Sequence, residues 1–321
     1  MTFIRRFTQT CVLGILGTAI AANGQSSQSA GTTSQVTHHI KTVFVIVMEN
    51  HNWTGDESSR NIKGNPEAPY INYDLIPNGA HANNYWNPPH EHPSLGNYLW
   101  MEAGTDFGIN GPILTARTVK ANTQFTHLHL VWQLMSAGKS WKAYPGDPFH
   151  NCPVYQWVTA QVFFADITDV PHPGVNPNPY APVCLAHVVP LSDLAGDLAK
   201  GTAPDYSNIV PDNCDSMHTL CNGVAQIKAG DDWLKATVPL ILNSKQYKEG
   251  GALFITWDEA AVGDGPIPMI VMSPFAKPGY GNSIHYTHGS LLRTVEEIFN
   301  LPLLGNANQE PDLSNLFSVF P

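Results

Sequence analysis

The stretch Thr42-Val43-Phe44-Val45-Ile46-Val47-Met48-Glu49-Asn50-His51 decides the fold. Its first seven residues are apolar or β-branched without interruption. A strand wetted on one face alternates polar and apolar residues, so an unbroken run predicts a strand covered on both faces, as in a parallel sheet packed between helices. Ala252-Leu253-Phe254-Ile255-Thr256-Trp257 and Pro268-Met269-Ile270-Val271-Met272 have the same character. Helical patterns fall at 94–103, 124–137, 222–242 and 289–299. Strands alternating with helices predict an α/β fold with a central, mostly parallel sheet flanked by helices. With 321 residues, 43% of them apolar or aromatic, the chain can build one large core, which excludes a disordered protein.

Composition narrows the function classes. Charged residues make up only 13%, and 26 Pro with 26 Gly imply a loop-rich surface, which argues against a coiled coil. Sixteen Lys and Arg against 26 Asp and Glu leave a formal charge of −10, so no nucleic-acid binding is expected from a basic surface. Arg5 and Arg6 followed by an apolar run at 11–21 read as a signal peptide over residues 1–24, with a polar linker at 25–38 and one domain from 39 to 321. The apolar run is too short for a stable membrane anchor, and the expectation is a secreted or periplasmic protein. The paired arginines leave both general and twin-arginine export open.

Cysteine usage fits export. Cys11 leaves with the signal, and Cys152, Cys184, Cys214 and Cys221 remain. An even number in an oxidising compartment predicts two disulfides, and local loop closure favours Cys152–Cys184 and Cys214–Cys221. A four-cysteine zinc site lacks any close Cys-x-x-Cys pair. The Pro-rich stretch from 145 to 190 reads as a long excursion over one edge of the domain.

Chemistry enters where the buried strands end. Met48 gives way to Glu49-Asn50-His51, and Trp257 gives way to Asp258-Glu259. Ligands bind at such carboxyl ends in open α/β sheets, although an acid there can also simply cap the next helix. A third polar cluster, His90-Glu91-His92-Pro93-Ser94-Leu95-Gly96-Asn97-Tyr98, places Ser94 where a helix begins. The positive end of the helix dipole suits a nucleophile that attacks phosphate, and the plainer reading is a serine N-cap.

In order and spacing, Val47 to Trp53, His92 to Tyr98, Asp212 to His218, Thr256 to Ala260 and Tyr286 to Thr294 resemble the acid phosphatase and phospholipase C family of phosphoesterases. The resemblance covers roughly residues 40–317, and its ending at 298–305 and 312–317 is similar in style. It implies an alkaline-phosphatase-like fold. The Pro-Ser-Leu-Gly-Asn-Tyr segment is similar to the nucleophile turn of nucleotide pyrophosphatases in that superfamily.

What the resemblance implies is a secreted enzyme that hydrolyses small phosphate esters, phosphomonoesters first, through Ser94. Glu49, Asn50, Ser94, Asp258 and Glu259 would bind one divalent metal ion, Mg, Ca, Mn or Zn. His218 and His288 would stand where two-metal relatives hold a second ion, contacting phosphate as imidazolium groups and favouring activity below neutral pH. His92 and Asn97 would line the substrate pocket. His127 and His129 are left to packing or surface. Where relatives commonly carry an acid two positions before the middle-motif histidine, this chain has Ser216, which speaks for a single metal. A His-Asn-Pro segment common in relatives is absent from 155–161. Two rivals remain: a phosphodiesterase or phospholipase C acting on lipid headgroups, with Trp53, Trp86 and Trp100 as an apolar rim, and a catalytically silent module that binds phosphorylated ligands.

Overall fold

The computed structural model describes residues 38–92, 94–108, 128–146 and 186–321. All of them lie in one compact unit, 37–321. Cys152, Cys184, His127, residues 155–161 and the expected signal peptide fall outside the described residues.

Strand β1, Thr42–Met48, is buried at every position. It lies between β4, Tyr206–Val210, and β5, Gly251–Trp257, and runs parallel to both, with Val45 opposite Asn208 on one side and Phe254 on the other. This central place explains the unbroken apolar run, because neither face of β1 meets water. Phe44, Ile46, Phe254 and Trp257 are fully covered, each contributing about 2 kcal/mol of apolar burial. Strand β3, Trp141–Pro145, pairs parallel to β4 at the edge.

On the other side of β5 the direction changes. Strand β6, Ile267–Met272, is antiparallel to β5, and β2, Ala80–Trp86, is antiparallel to β6. The segment joining β5 to β6 is too short for the helical crossover that a parallel pair requires. Two short strands, β7 at Gly281–Asn282 and β8 at Tyr286–Thr287, run parallel to β2. The sheet order is β3-β4-β1-β5-β6-β2-β7, with β8 also on β2. The fold is α/β, with an eight-stranded, mostly parallel sheet flanked by helices.

The described helices are α1 (Ile76–Asn78), α2 (Leu95–Ala103), α3 (Leu130–Ser136), α4 (Asp193–Lys200), α5 (Gln226–Asn243), α6 (Lys245–Lys248) and α7 (His288–Phe299). Helix α2 stops at Gly104, whose φ of 66° favours glycine. Helix α7 starts with a reciprocal cap: Thr287 Oγ1 accepts from the Gly289 N–H at 3.1 Å, and Ser290 Oγ accepts from the Thr287 N–H at 3.0 Å. Helices α2 and α7 pack on each other, which brings the start of α2 to the carboxyl ends of β1 and β5.

Candidate active site

Two strand ends are tied together by their own backbones. The Asp258 N–H donates to the Met48 carbonyl at 2.9 Å, and the Asn50 N–H donates back to Asp258 Oδ1 at 3.1 Å. Asn50 turns the chain with φ of 39°, a conformation that asparagine tolerates better than most residues. The Glu49 N–H donates to the Ser216 carbonyl at 2.9 Å, which fastens the loop after β4 to the same point. A disulfide, Cys214–Cys221, closes that loop as the sequence predicts.

Helix α2 then meets these acids with one face. Ser94, Asn97 and Tyr98 are three and four residues apart and therefore share a side of the helix. Ser94 Oγ donates to Glu49 Oε2 at 3.2 Å, and Tyr98 OH donates to Glu49 Oε1 at 2.9 Å. Asn97 Nδ2 donates to the Glu91 carbonyl at 2.8 Å and to Glu259 Oε2 at 3.3 Å. Ser94 makes no capping bond to its own helix. Its hydroxyl is spent on the acid cluster, which removes the plain N-cap reading.

Glu49, Asp258 and Glu259 are all buried. Burial raises each pKa, and charge repulsion from Asp258 adds to it at Glu49 and Glu259; that of Glu259 reaches about 7. Asn50 Nδ2 donates to Glu259 Oε1 at 2.6 Å, so the amide oxygen faces away from that carboxylate. Asn50 Oδ1 and Asp258 Oδ2 are buried with no hydrogen-bond donor. Among the described residues no three His, Cys, Asp or Glu side chains are arranged as a metal site, and Glu259 is hydrogen-bonded to Asn50, Asn97 and His92.

The comparisons with known proteins follow the same line. The model of the phosphoesterase family matches residues 64–302, most of the chain. The chain belongs to the phosphoesterase family. A curated relative, the phosphatidylinositol-3-phosphatase of Mycobacterium tuberculosis, is 26% identical over 323 residues, covering 98% of this chain and 95% of that protein. Among solved structures, the phosphonate monoester hydrolase of Silicibacter pomeroyi superposes with a TM-score of 0.55 at 12% identity, over 87% of this chain and 76% of that one. A protein of the alkaline phosphatase superfamily from Vibrio parahaemolyticus gives 0.54 at 14% identity, over 85% and 70%. These two likenesses show an alkaline-phosphatase-like fold. The phosphoesterase is a hydrolase acting on phosphate ester bonds.

The histidines stand differently from expectation. His288 is fully buried; its Nε2–H donates to the Asp258 carbonyl at 2.5 Å, and its Nδ1 accepts from Tyr85 OH at 3.0 Å. Burial lowers its pKa to about 4, which favours the neutral ring over the expected imidazolium. His218 is exposed and bonds through Nδ1 to Thr219 Oγ1 at 3.0 Å. No described hydrogen bond joins it to the acid cluster. His92 gives one nitrogen to Glu259 Oε2 at 2.8 Å and the other to Asp264 Oδ1 at 3.2 Å. His129 is buried and caps α3, accepting from the Trp132 N–H at 3.3 Å.

Trp53 is completely buried, its Nε1 bonded to Asn83 Oδ1 at 3.3 Å, so it forms no rim for a lipid. Trp86 and Trp100 are half-buried. Tyr98, Tyr85 and Asp264 were not singled out from the sequence. The helical spacing from Ser94 pointed to Tyr98, whereas nothing local in the sequence pointed to Tyr85 or Asp264.

Proposed function

We propose that this phosphoesterase is a secreted, divalent-metal-dependent phosphomonoesterase in which Ser94 is the nucleophile. The observation that carries this reading is the Ser94 hydroxyl, which forgoes its own helix end and donates to Glu49 at the junction of two strand ends. The donor chemistry fits a cation: Asn50 Oδ1 and Asp258 Oδ2 are buried acceptors without donors, beside two more carboxylates. Glu49, Asn50, Ser94, Asp258 and Glu259 would hold one ion. An all-oxygen set suits Mg, Ca or Mn, and Zn is compatible with it.

When bound, that ion supplies a more acidic serine hydroxyl and polarisation of a phosphoryl oxygen. Ser94 Oγ attacks phosphorus as its proton passes toward Glu49, the ester oxygen leaves on the opposite side, and water then releases phosphate from the phosphoserine. N–H groups in the first turn of α2 are suited to orient the phosphate oxygens. His218, on the disulfide loop, keeps Nε2 for a substrate oxygen. His288 acts through Asp258, holding its backbone. Export is supported by the pattern of residues 1–24 and by the Cys214–Cys221 disulfide. The M. tuberculosis relative is a phosphatase by name and spans nearly the whole chain, which favours monoesters over the phospholipase C reading.

Paired assays on a soluble phosphomonoester and a choline phospholipid, with an acid quench and peptide mass mapping, test this directly. Turnover of the monoester with phosphate trapped on Ser94 is expected. Cleavage of the phospholipid alone, or covalent phosphate on a residue other than Ser94, would overturn it.

A further inference from the structure

Asp264 lies in the loop between β5 and β6, on the rim of the acid cluster. This loop is fixed from several sides. Asn52 exchanges two bonds with Val262, Nδ2 to its carbonyl at 3.0 Å and Oδ1 from its N–H at 3.1 Å. The Ala260 N–H donates to Asn87 Oδ1 at 3.2 Å, and the Asp264 carbonyl accepts from the Asn87 N–H at 3.2 Å. Gly265 follows with φ of 142°, and a Cβ there would press on the Trp86 ring at 3.1 Å. The Asp264 carboxylate is thus delivered from a rigid turn.

Its partner is the His92 ring, which spans two carboxylates: Nδ1 to Glu259 Oε2 at 2.8 Å and Nε2 to Asp264 Oδ1 at 3.2 Å. His90 Nδ1 stands 3.7 Å from Asp264 Oδ2, but its side chain is 94% exposed and places little constraint on it. At Glu259, Oε2 receives two donors, His92 and Asn97, while Oε1 receives only Asn50. One carboxylate oxygen is therefore saturated, and the other, which accepts only from Asn50 Nδ2, retains a lone pair. Without an acceptor at Nε2 the imidazole could turn about its χ angles and release Oε2.

We infer that Asp264 is a positioning residue: by holding His92 across Glu259 it keeps Oε2 engaged and fixes the carboxylate, so that Oε1 is the oxygen left for the cation. This rests on the metal-dependent reading above. It also reassigns His92 from pocket lining to support of a ligand. Groups that orient a metal-binding carboxylate typically change metal affinity ten- to a hundredfold when removed.

The test is calorimetric titration of the chelator-treated full-length protein with Mn2+, without substrate. Wild type is expected to bind one ion. Asp264→Ala should raise the Kd ten- to a hundredfold, and Asp264→Asn, which keeps an acceptor oxygen for His92, should raise it less. In a His92→Ala background, Asp264→Ala should change nothing further, because the two act in series. Among the described residues the Asp264 carboxylate bonds only to His90 and His92, so its removal leaves the loop anchors in place. An Asp264→Ala affinity within twofold of wild type, or an equal loss in both backgrounds, overturns the inference while the metal reading stands. A wild type that binds no divalent ion overturns both.

Discussion

Two groups of buried carboxyl side chains among the described residues are built differently. At the strand ends, Glu49, Asp258 and Glu259 meet a hydroxyl, a phenol, two amides and an imidazole, and their neighbours Asn50 and Asp258 still keep acceptors without donors. Between α2, α3 and α7, Glu102 and Glu296 each receive one backbone N–H, from Val131 at 3.0 Å and from Leu304 at 2.8 Å. Burial raises both, Glu296 to about 8, and Glu102 also lies 3.4 Å from His129. The second pair serves as brackets that hold loops to helices. Burial and a raised pKa therefore do not mark a reactive site. What separates the first cluster is the number of donors aimed at it and the serine hydroxyl it shares.

The largest expected effect is at the first cluster. Ser94→Ala should lower kcat by several orders of magnitude, about 5 kcal/mol or more, with the melting temperature nearly unchanged. Steady-state kinetics on a phosphomonoester checks this, and activity within tenfold of wild type would break the assignment. Asp258→Asn should likewise abolish turnover, yet its metal-free form should be at least as stable as metal-free wild type, because one of three mutually repelling carboxylates is gone. Differential scanning calorimetry in chelator reads that sign.

The strand ends were legible in the sequence because β1 and β5 are central: each apolar run stops abruptly where an acid begins, at Glu49 and at Asp258. The helix start at Ser94 was legible for the same local reason. Strand β2, with His81, Asn83 and Asn84, carries too much polarity to read as a strand, since it pairs with only two short strands beyond β6. Strands β3 and β4 are five residues each, too short to stand out. Asp264 and Tyr85 depend on contacts across 172 and 203 residues, which no local pattern encodes. The depth of His288 was not legible, because a histidine at a helix start gives no sign of how deeply it will be buried.

Smaller effects probe the disulfide loop and the second region. Replacing Cys214 and Cys221 by Ser should cost about 2 kcal/mol of stability for so short a loop, read by denaturant unfolding. Glu296→Gln should leave kcat within twofold and change only the pH dependence of stability. With its folded pKa raised from 4.5 to about 8, Glu296 binds its proton more tightly when folded, so its contribution is complete below pH 4.5 and is lost as pH rises through 8. The Gln variant should melt a few degrees above wild type at pH 9, with the difference vanishing near pH 4. A Glu296→Gln variant with normal stability but no activity would show that the two regions are not separable in the way described.

The central claim is that a divalent ion organises the strand-end acids around Ser94, and removing the ion tests it most directly. Phosphomonoester turnover and melting temperature should be measured together, before and after a strong chelator strips all bound divalent metal, and again after a divalent ion is restored. The account predicts that both fall on stripping and both return, since uncompensated Glu49, Asp258 and Glu259 oppose folding as well as catalysis. Full turnover from protein verified to contain no divalent metal would contradict it.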